Sequence, residues 1–175
     1  MRKIVQYSLL IVLAFSSLSF QQQSNYDTNA KVKAVFLYNF TKYFKWPEKM
    51  RTGNFVIQVV GSNSSLNVEL NKMASTKQVG AQKIEIKNSS SFATDPPQIL
   101  FILGSESDIL KDAINKLKGK GSLIVTEKPG LAKAGAVINF VVEENKQRFE
   151  YSQNNAKKAG LITGEGLNGL AIVVD

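Results

Sequence analysis

The chain has no cysteine and no histidine among its 175 residues, and these two gaps remove more chemistry than any motif adds. Without cysteine there is no disulfide, no thiolate nucleophile, no iron–sulfur cluster and no cysteine-based zinc site. There is also no thiol to carry a lipoprotein anchor. Without histidine there is no Ser-His-Asp triad, no imidazole base near pH 7 and no common transition-metal ligand set. No cofactor and no metal is expected. Long apolar runs are scarce too. The longest, Ile4 to Phe15, falls short of the roughly 20 residues that span a bilayer. Acidic residues are few, 14 against 22 basic ones, for a net charge of +8.

The start of the chain reads as an export signal. Met1-Arg2-Lys3 is positive, the apolar run follows, and Ser17-Leu18-Ser19 offers small side chains at the positions a signal peptidase reads. The expected organisation is a signal peptide over 1–19, cleaved near Ser19, a flexible lead-in over 20–28 and a single α/β domain over 29–175. An exported chain without cysteine is held together by its core alone. Its basic residues are scattered rather than interleaved with stacking aromatics, which argues against nucleic acid as a partner. A solvated basic surface that meets anionic head groups fits better, and a homo-oligomer remains open.

Hydrophobic periodicity then places the elements. A broad apolar face over Val32, Val35, Phe36, Phe40, Tyr43, Phe44 and Trp46 predicts a helix from Thr28 or Asn29 to about Lys45. Lys31, Lys42 and Lys45 lie opposite that face, and Pro47 stops the helix. Asn39 falls within the stripe, where a polar side chain needs partners and acts as a strut. FVIQVVG (Phe55 to Gly61) and QILFILG (Gln98 to Gly104) are near-continuous apolar runs, the mark of strands buried on both faces. QKIEIK alternates, as a half-exposed edge strand does, and SLIVTE is a further strand. AVINFVVE and KQRFEY are separated by Glu144-Asn145 and read as a hairpin. Helices are expected from Ser65 to Ala74, Ser107 to Lys116 and Ser152 to Ala159, the last stopped by Gly160. The tail to Asp175 reads equally as helix or strand. Alternating strands and helices predict a three-layer α/β sandwich with a mixed, mostly parallel sheet, a C-terminal β-hairpin and the aromatic N-terminal helix on one face.

Motifs of chemical interest are few. GEGLNG (Gly164 to Gly169) matches a dinucleotide fingerprint literally but lacks the long helix that must follow it, since the chain ends six residues later. VVGSNSSL and ILGSESDI echo each other, each running from an apolar strand through Gly-Ser into a helix start. In a parallel sheet such loops share one edge, and they bind ligands where they flank a switch in strand order. Ser62, Ser64, Ser105 and Ser107 are therefore candidates for holding a small anion or nucleotide. The alternative is that Ser64, Ser65 and Ser107 are ordinary helix caps. No pair of carboxylates is placed for acid–base catalysis, and no enzyme activity is expected.

AVFLYNFTKYFKWP, FVIQVVG and GAVINFVVEENKQRFEYSQNNAKKAGL stand in the order seen in the YfiR-like family of small bacterial periplasmic regulators, which the chain resembles over nearly all of its mature length. The resemblance implies a regulator that binds and represses the periplasmic sensor domain of an inner-membrane signalling protein. That protein would be a diguanylate cyclase or a sensor kinase, with consequences for cyclic-di-GMP and biofilm formation. Lys45, Trp46, Arg148 and Glu150, from the two family-like motifs, are candidate partner contacts, since aromatic and basic side chains are enriched at interfaces. The chain departs from the family in two respects. Relatives carry cysteines linked to redox sensing, a role this chain lacks the residues for. Tyr151-Ser152 also replaces the more usual aliphatic residue and asparagine. A periplasmic small-ligand module is the alternative reading.

Overall fold

The apolar runs become neighbouring strands at the middle of one sheet, because only there are both faces of a strand covered. The computed structural model describes residues 28–92 and 95–175; the expected signal peptide and nearly all of the lead-in lie outside the described residues. Helix α1 (Thr28–Tyr43) passes through a two-residue strand β1 (Phe44–Lys45) to β2 (Phe55–Val60) and α2 (Ser64–Ala74). Strands β3 (Gln78–Val79), β4 (Gln82–Ser89) and β5 (Ile99–Ile102) follow, then a 3-10 turn (Gly104–Ile109) leading into α3 (Leu110–Leu117). After β6 (Leu123–Thr126) come the hairpin strands β7 (Ile138–Glu143) and β8 (Lys146–Tyr151) and helix α4 (Gln153–Ala159). Two short strands, β9 (Ile162–Thr163) and β10 (Ile172–Val173), end the chain.

The main sheet has the order β10-β8-β7-β6-β5-β2-β4-β3. Its centre is parallel, with Ile57 opposite Ile99 and Ile99 opposite Leu123. The antiparallel pairs are the hairpin and the β3–β4 contact. Alternation along the strands sends Val59, Phe101 and Val125 to one face, under Leu37 and Phe40 of α1 and Leu66 and Leu70 of α2. Val60, Leu100, Ile102 and Ile124 point to the other face, under Leu110, Ala113 and Leu117 of α3. This is the expected three-layer sandwich with a mostly parallel sheet.

Local signals set the ends of several elements. Glu144 and Asn145 both have positive φ, 50° and 59°, as a two-residue hairpin turn of the I′ kind requires. Ser152 caps α4 by accepting from the Asn155 amide, and Gly160 ends it in the left-handed conformation. The cap of α2 is Asn63, whose side chain accepts from the Leu66 amide, rather than Ser64 or Ser65. The tail resolves as a strand, β10, running parallel to β8 at the sheet edge.

Helix α1 differs from its predicted face. Its deepest residues are Ala30, Ala34, Leu37 and Phe40, while Val35 is half exposed. The two alanines let the backbone approach its neighbours closely, so the contact line runs along them and turns Val35 outward. The aromatic rings gather at the rim of that line. Phe36 and Phe40 meet Phe149 edge-on, with centroids 5.4 and 5.1 Å apart, and Phe140 stands edge-on to Phe101 at 5.7 Å. Asn39 is not a core strut: its Oδ1 accepts from Lys42 Nζ at 3.0 Å on the surface. The helix stops at Tyr43 because Phe44 and Lys45 extend to pair with Thr163 and Ile162.

Trp46, a candidate partner contact, is only 7% exposed and does not present its ring to a partner. Pro47 excludes helix at the residue before it, and the extended chain carries the indole across the starts of β2 and β5. There it stands edge-on to Phe55 at 4.9 Å and donates through Nε1 to the Gln98 carbonyl at 3.0 Å. Gln98 completes the bracket, accepting from the Val56 amide at 2.7 Å and donating to the Met50 carbonyl at 2.7 Å.

Candidate functional site

A doubly wound sheet offers ligands the crevice where successive connections leave a strand in opposite directions. Here β4 lies on one side of β2 and β5 on the other, so the switch falls between β2 and β5. The Gly61-Ser62 and Gly104-Ser105 loops flank it, on the one shared edge that the sequence echo predicted. Ser62, Ser64 and Ser105 are exposed and Ser107 is half-buried on this edge.

The crevice itself is filled. Gly61 has φ 108°, and a Cβ there would lie 2.9 Å from Leu103 Cδ1 and 3.0 Å from Glu106 Cγ. The Leu103 amide donates to the Val60 carbonyl at 3.1 Å, stitching the two loops together. Ser105 donates to Glu106 Oε1 at 3.2 Å, and Ser107 Oγ accepts from Lys128 Nζ at 3.2 Å. The feature that governs this edge is Glu127, just past β6. Its Oε1 accepts from the Gly104 amide at 3.0 Å, the place an exogenous anion would take at the head of this turn. Its Oε2 accepts from Lys33 Nζ of α1 at 2.7 Å, with both side chains only 17% exposed. One carboxylate thus acts as an internal anion and ties α1 to the loop after β5.

Beside this pair lies a cavity of about 430 Å³ lined by Lys33, Glu127, Pro129, Phe140, Val142 and Gln147 among others. It exists because β6 stops pairing with β7 at Thr126–Asn139 while the hairpin continues to Glu143. Pro129, Phe140, Val141 and Val142 supply apolar wall, Gln147 adds an amide, and the paired Lys33 and Glu127 supply one charge of each sign.

The candidate partner contacts do not form one patch. Lys45 is exposed at the opposite edge of the sheet, in β1 beside the exposed Ile162. Trp46 is buried next to it. Arg148 is exposed near the hairpin tip, 3.1 Å from Glu143. Glu150 is half-buried, and its Oε2 accepts from Asn139 Nδ2 at 2.8 Å. Asn139 is itself fully buried and accepts from Thr126 Oγ1 at 2.7 Å, so the three side chains bridge β6, β7 and β8.

Lys33, Glu127, Asn139 and Gln98 were not singled out by the motifs. The signal for three of them was a polar residue inside or at the end of an apolar strand run, which calls for a buried partner. Lys33 has no such signal, because its partner is 94 positions away. Tyr151, at the departure from the family pattern, is fully buried, with its hydroxyl 2.7 Å from Thr163 Oγ1. Burial foremost, and then the Asp175 charge, push its phenol above 10.0, while the Thr163 hydrogen bond pulls the other way. GEGLNG is a turn against the end of α1: the Gly164 amide donates to the Tyr43 carbonyl at 2.6 Å and Leu167 is buried. Among the described residues no helix is long and apolar enough to cross a membrane.

The family model described as YfiR/HmsC-like matches residues 30–171. That range begins at the first buried residue of α1 and stops just before β10, so it takes in every strand of the sheet except that edge strand. No curated protein matches the chain.

Proposed function

The chain belongs to the YfiR/HmsC-like family, and from that premise we propose that it is a periplasmic regulator of cyclic-di-GMP signalling. It binds and represses the sensor domain of an inner-membrane diguanylate cyclase or sensor kinase. The observation that carries this reading is the extent of the family match, from α1 to the edge of β10. The sequence supports a non-catalytic role, because histidine and cysteine are absent. The predicted signal peptide over 1–19 supports export.

Among the candidate contacts, Lys45 and Arg148 are the exposed ones, and we assign docking to Lys45, with Arg148 on the far edge as the alternative surface. Trp46 and Glu150 act behind them by holding β1 and β8 in place. The test is an in-cell crosslinking pull-down of the tagged protein, with mass spectrometry of the membrane fraction. Enrichment of one inner-membrane protein carrying a cytoplasmic cyclase or kinase domain is the expected result. Recovery of abundant soluble proteins alone would overturn it.

The cavity beside Lys33 and Glu127 favours a second reading, in which a small ligand is the switch. A group that competed for Lys33 or Glu127 would loosen the tie between α1 and the Gly104 loop. A thermal-shift screen with anions and nucleotides tests this, since a ligand at 100 times its dissociation constant stabilises by about 2.7 kcal/mol.

A further inference from the structure

A second cavity is on the opposite face of the sheet and at its opposite end. It holds about 390 Å³ between α3, the segment before β7 and α4. That volume lies within the range of roughly 300–1,000 Å³ usual for small-molecule sites. Ile114, Leu117, Ile124 and Val137 supply apolar wall, and Lys118, Lys133 and Lys158 stand at its margin, each exposed. No aspartate or glutamate lines it. We propose that this cavity is a binding site for an amphipathic anion, a sulfonate, carboxylate or phosphate head on an apolar body.

The three ammonium groups come from three separate segments: the exit of α3, the turn before β7 and the last turn of α4. None of the three forms an ion pair among the described residues, whereas Lys33, Lys87 and Lys116 each reach a carboxylate. Like charges gathered around one concavity repel each other and raise the local concentration of anions. The apolar wall adds what a bare phosphate could not use, a surface for a hydrophobic body.

The cavity is also braced. Asn155 Nδ2 donates to the Ala132 and Ala136 carbonyls at 2.8 and 2.9 Å, pinning the segment that carries Lys133 to α4. The Gly119 and Gly121 amides donate to the Lys158 and Ala159 carbonyls at 3.0 and 2.8 Å, pinning the exit of α3 to the same helix. At Gly135 a Cβ would lie 2.4 Å from Ile114 Cδ1, so any side chain there would push into the wall. A site with its charges set by three braced segments is open to a ligand without rearrangement.

The test is a calorimetric titration of the full chain with 1-naphthalenesulfonate, beside the uncharged 1-naphthalenemethanol. Saturable one-site binding is expected for the sulfonate, at least tenfold weaker for the alcohol. The K118Q/K133Q/K158Q variant should lose at least tenfold in affinity. A K72Q/K77Q/K83Q variant, with the same change in net charge on exposed residues elsewhere, should bind as the parent does. Matching thermal midpoints would show that both variants fold. Co-sedimentation with phosphatidylglycerol vesicles distinguishes the source of the head group. Vesicle binding lost in the first variant only, without sulfonate binding, assigns the site to a lipid. Equal binding of alcohol and sulfonate, equal loss in both variants, or binding of neither probe nor vesicle would each overturn the proposal.

Discussion

The two edges of the sheet treat charge in opposite ways. At the carboxyl ends of the strands, Glu127 sits on the Gly104 amide and Lys33 sits on Glu127, so the edge is neutralised from within. At the amino ends, Trp46 and Gln98 close the core with neutral hydrogen bonds, and the lysines beyond them face outward. The first edge has the topology of a ligand site and fills it with the chain's own side chains. The second has no topological claim on a ligand, and its Lys45, Lys118, Lys133 and Lys158 form no ion pair among the described residues. Strand order marks where a site can be built, and the side chains decide whether it stays open.

The sharpest way to break this contrast is to remove the neutral bracket. Trp46→Ala empties a buried indole from the starts of β2 and β5 and takes one of two donors from the Gln98 carbonyl, which keeps the Leu123 amide. Such truncations cost about 3–5 kcal/mol, which should appear as a large drop in the urea midpoint at unchanged slope. Any loss of partner capture in this variant would then follow from unfolding. A small loss, under about 1 kcal/mol, would show that the indole is not the closure of the amino edge.

The opposite edge responds to Glu127→Gln. The amide can still accept from Gly104, but Lys33 is left half-buried without its counter-charge, which costs about 1–3 kcal/mol. A double-mutant cycle with Lys33→Met isolates the pair, and a coupling near zero would remove it from the account. The same variant sharpens the comparison. With the internal anion gone, sulfate should raise the melting temperature of Glu127→Gln more than that of the parent. If sulfate acts equally on both, Glu127 is not standing in for an anion.

Much of this contrast was legible in the sequence, and the rest was not for identifiable reasons. The apolar runs of β2 and β5, the Glu144-Asn145 turn and the Ser152 and Gly160 ends of α4 are local signals, set within a few residues. The shared edge of the two Gly-Ser loops followed from the parallel topology. That the crevice between those loops is filled could not be read, because the Glu127 that occupies the Gly104 amide is held by Lys33 from 94 positions away. The burial of Trp46 was missed because Pro47 was read only as a stop; the direction it gives the chain depends on where β2 and β5 start. Val35 was misplaced because large residues suggested the contact line, whereas Ala30 and Ala34 set it by permitting close approach.

A smaller effect comes from Tyr151, where the hairpin meets β9. Its phenol ionises at a higher pH in the fold than in the unfolded chain, chiefly because burial disfavours the charged form. The stability this contributes is present in full below pH 10.0 and is lost as pH rises from there through the raised folded value. Tyr151→Phe should cost about 0.5–1.5 kcal/mol at neutral pH for the Thr163 hydrogen bond. It should also flatten the decline in stability above pH 10.0 in denaturation series. An unchanged alkaline decline would place the sensitivity elsewhere.

The smallest effect on stability is expected at Lys45, and it carries the most functional information. The side chain is exposed and forms no ion pair among the described residues, so Lys45→Glu should shift stability by no more than about 0.5 kcal/mol. Because Trp46 beneath it is untouched, this variant separates contact from fold in a way that a change at Trp46 does not. If the amino edge meets the sensor domain, reversing this charge should weaken partner capture in cells and raise cyclic-di-GMP, while the melting temperature stays put. Arg148→Glu at the hairpin tip is the matched control from the far edge, with its own weak link to Glu143. Loss of capture in the Lys45 variant alone assigns docking to the edge whose charges face outward. Loss in the Arg148 variant alone assigns it to the hairpin, and the unpaired lysines are then left to the anion site.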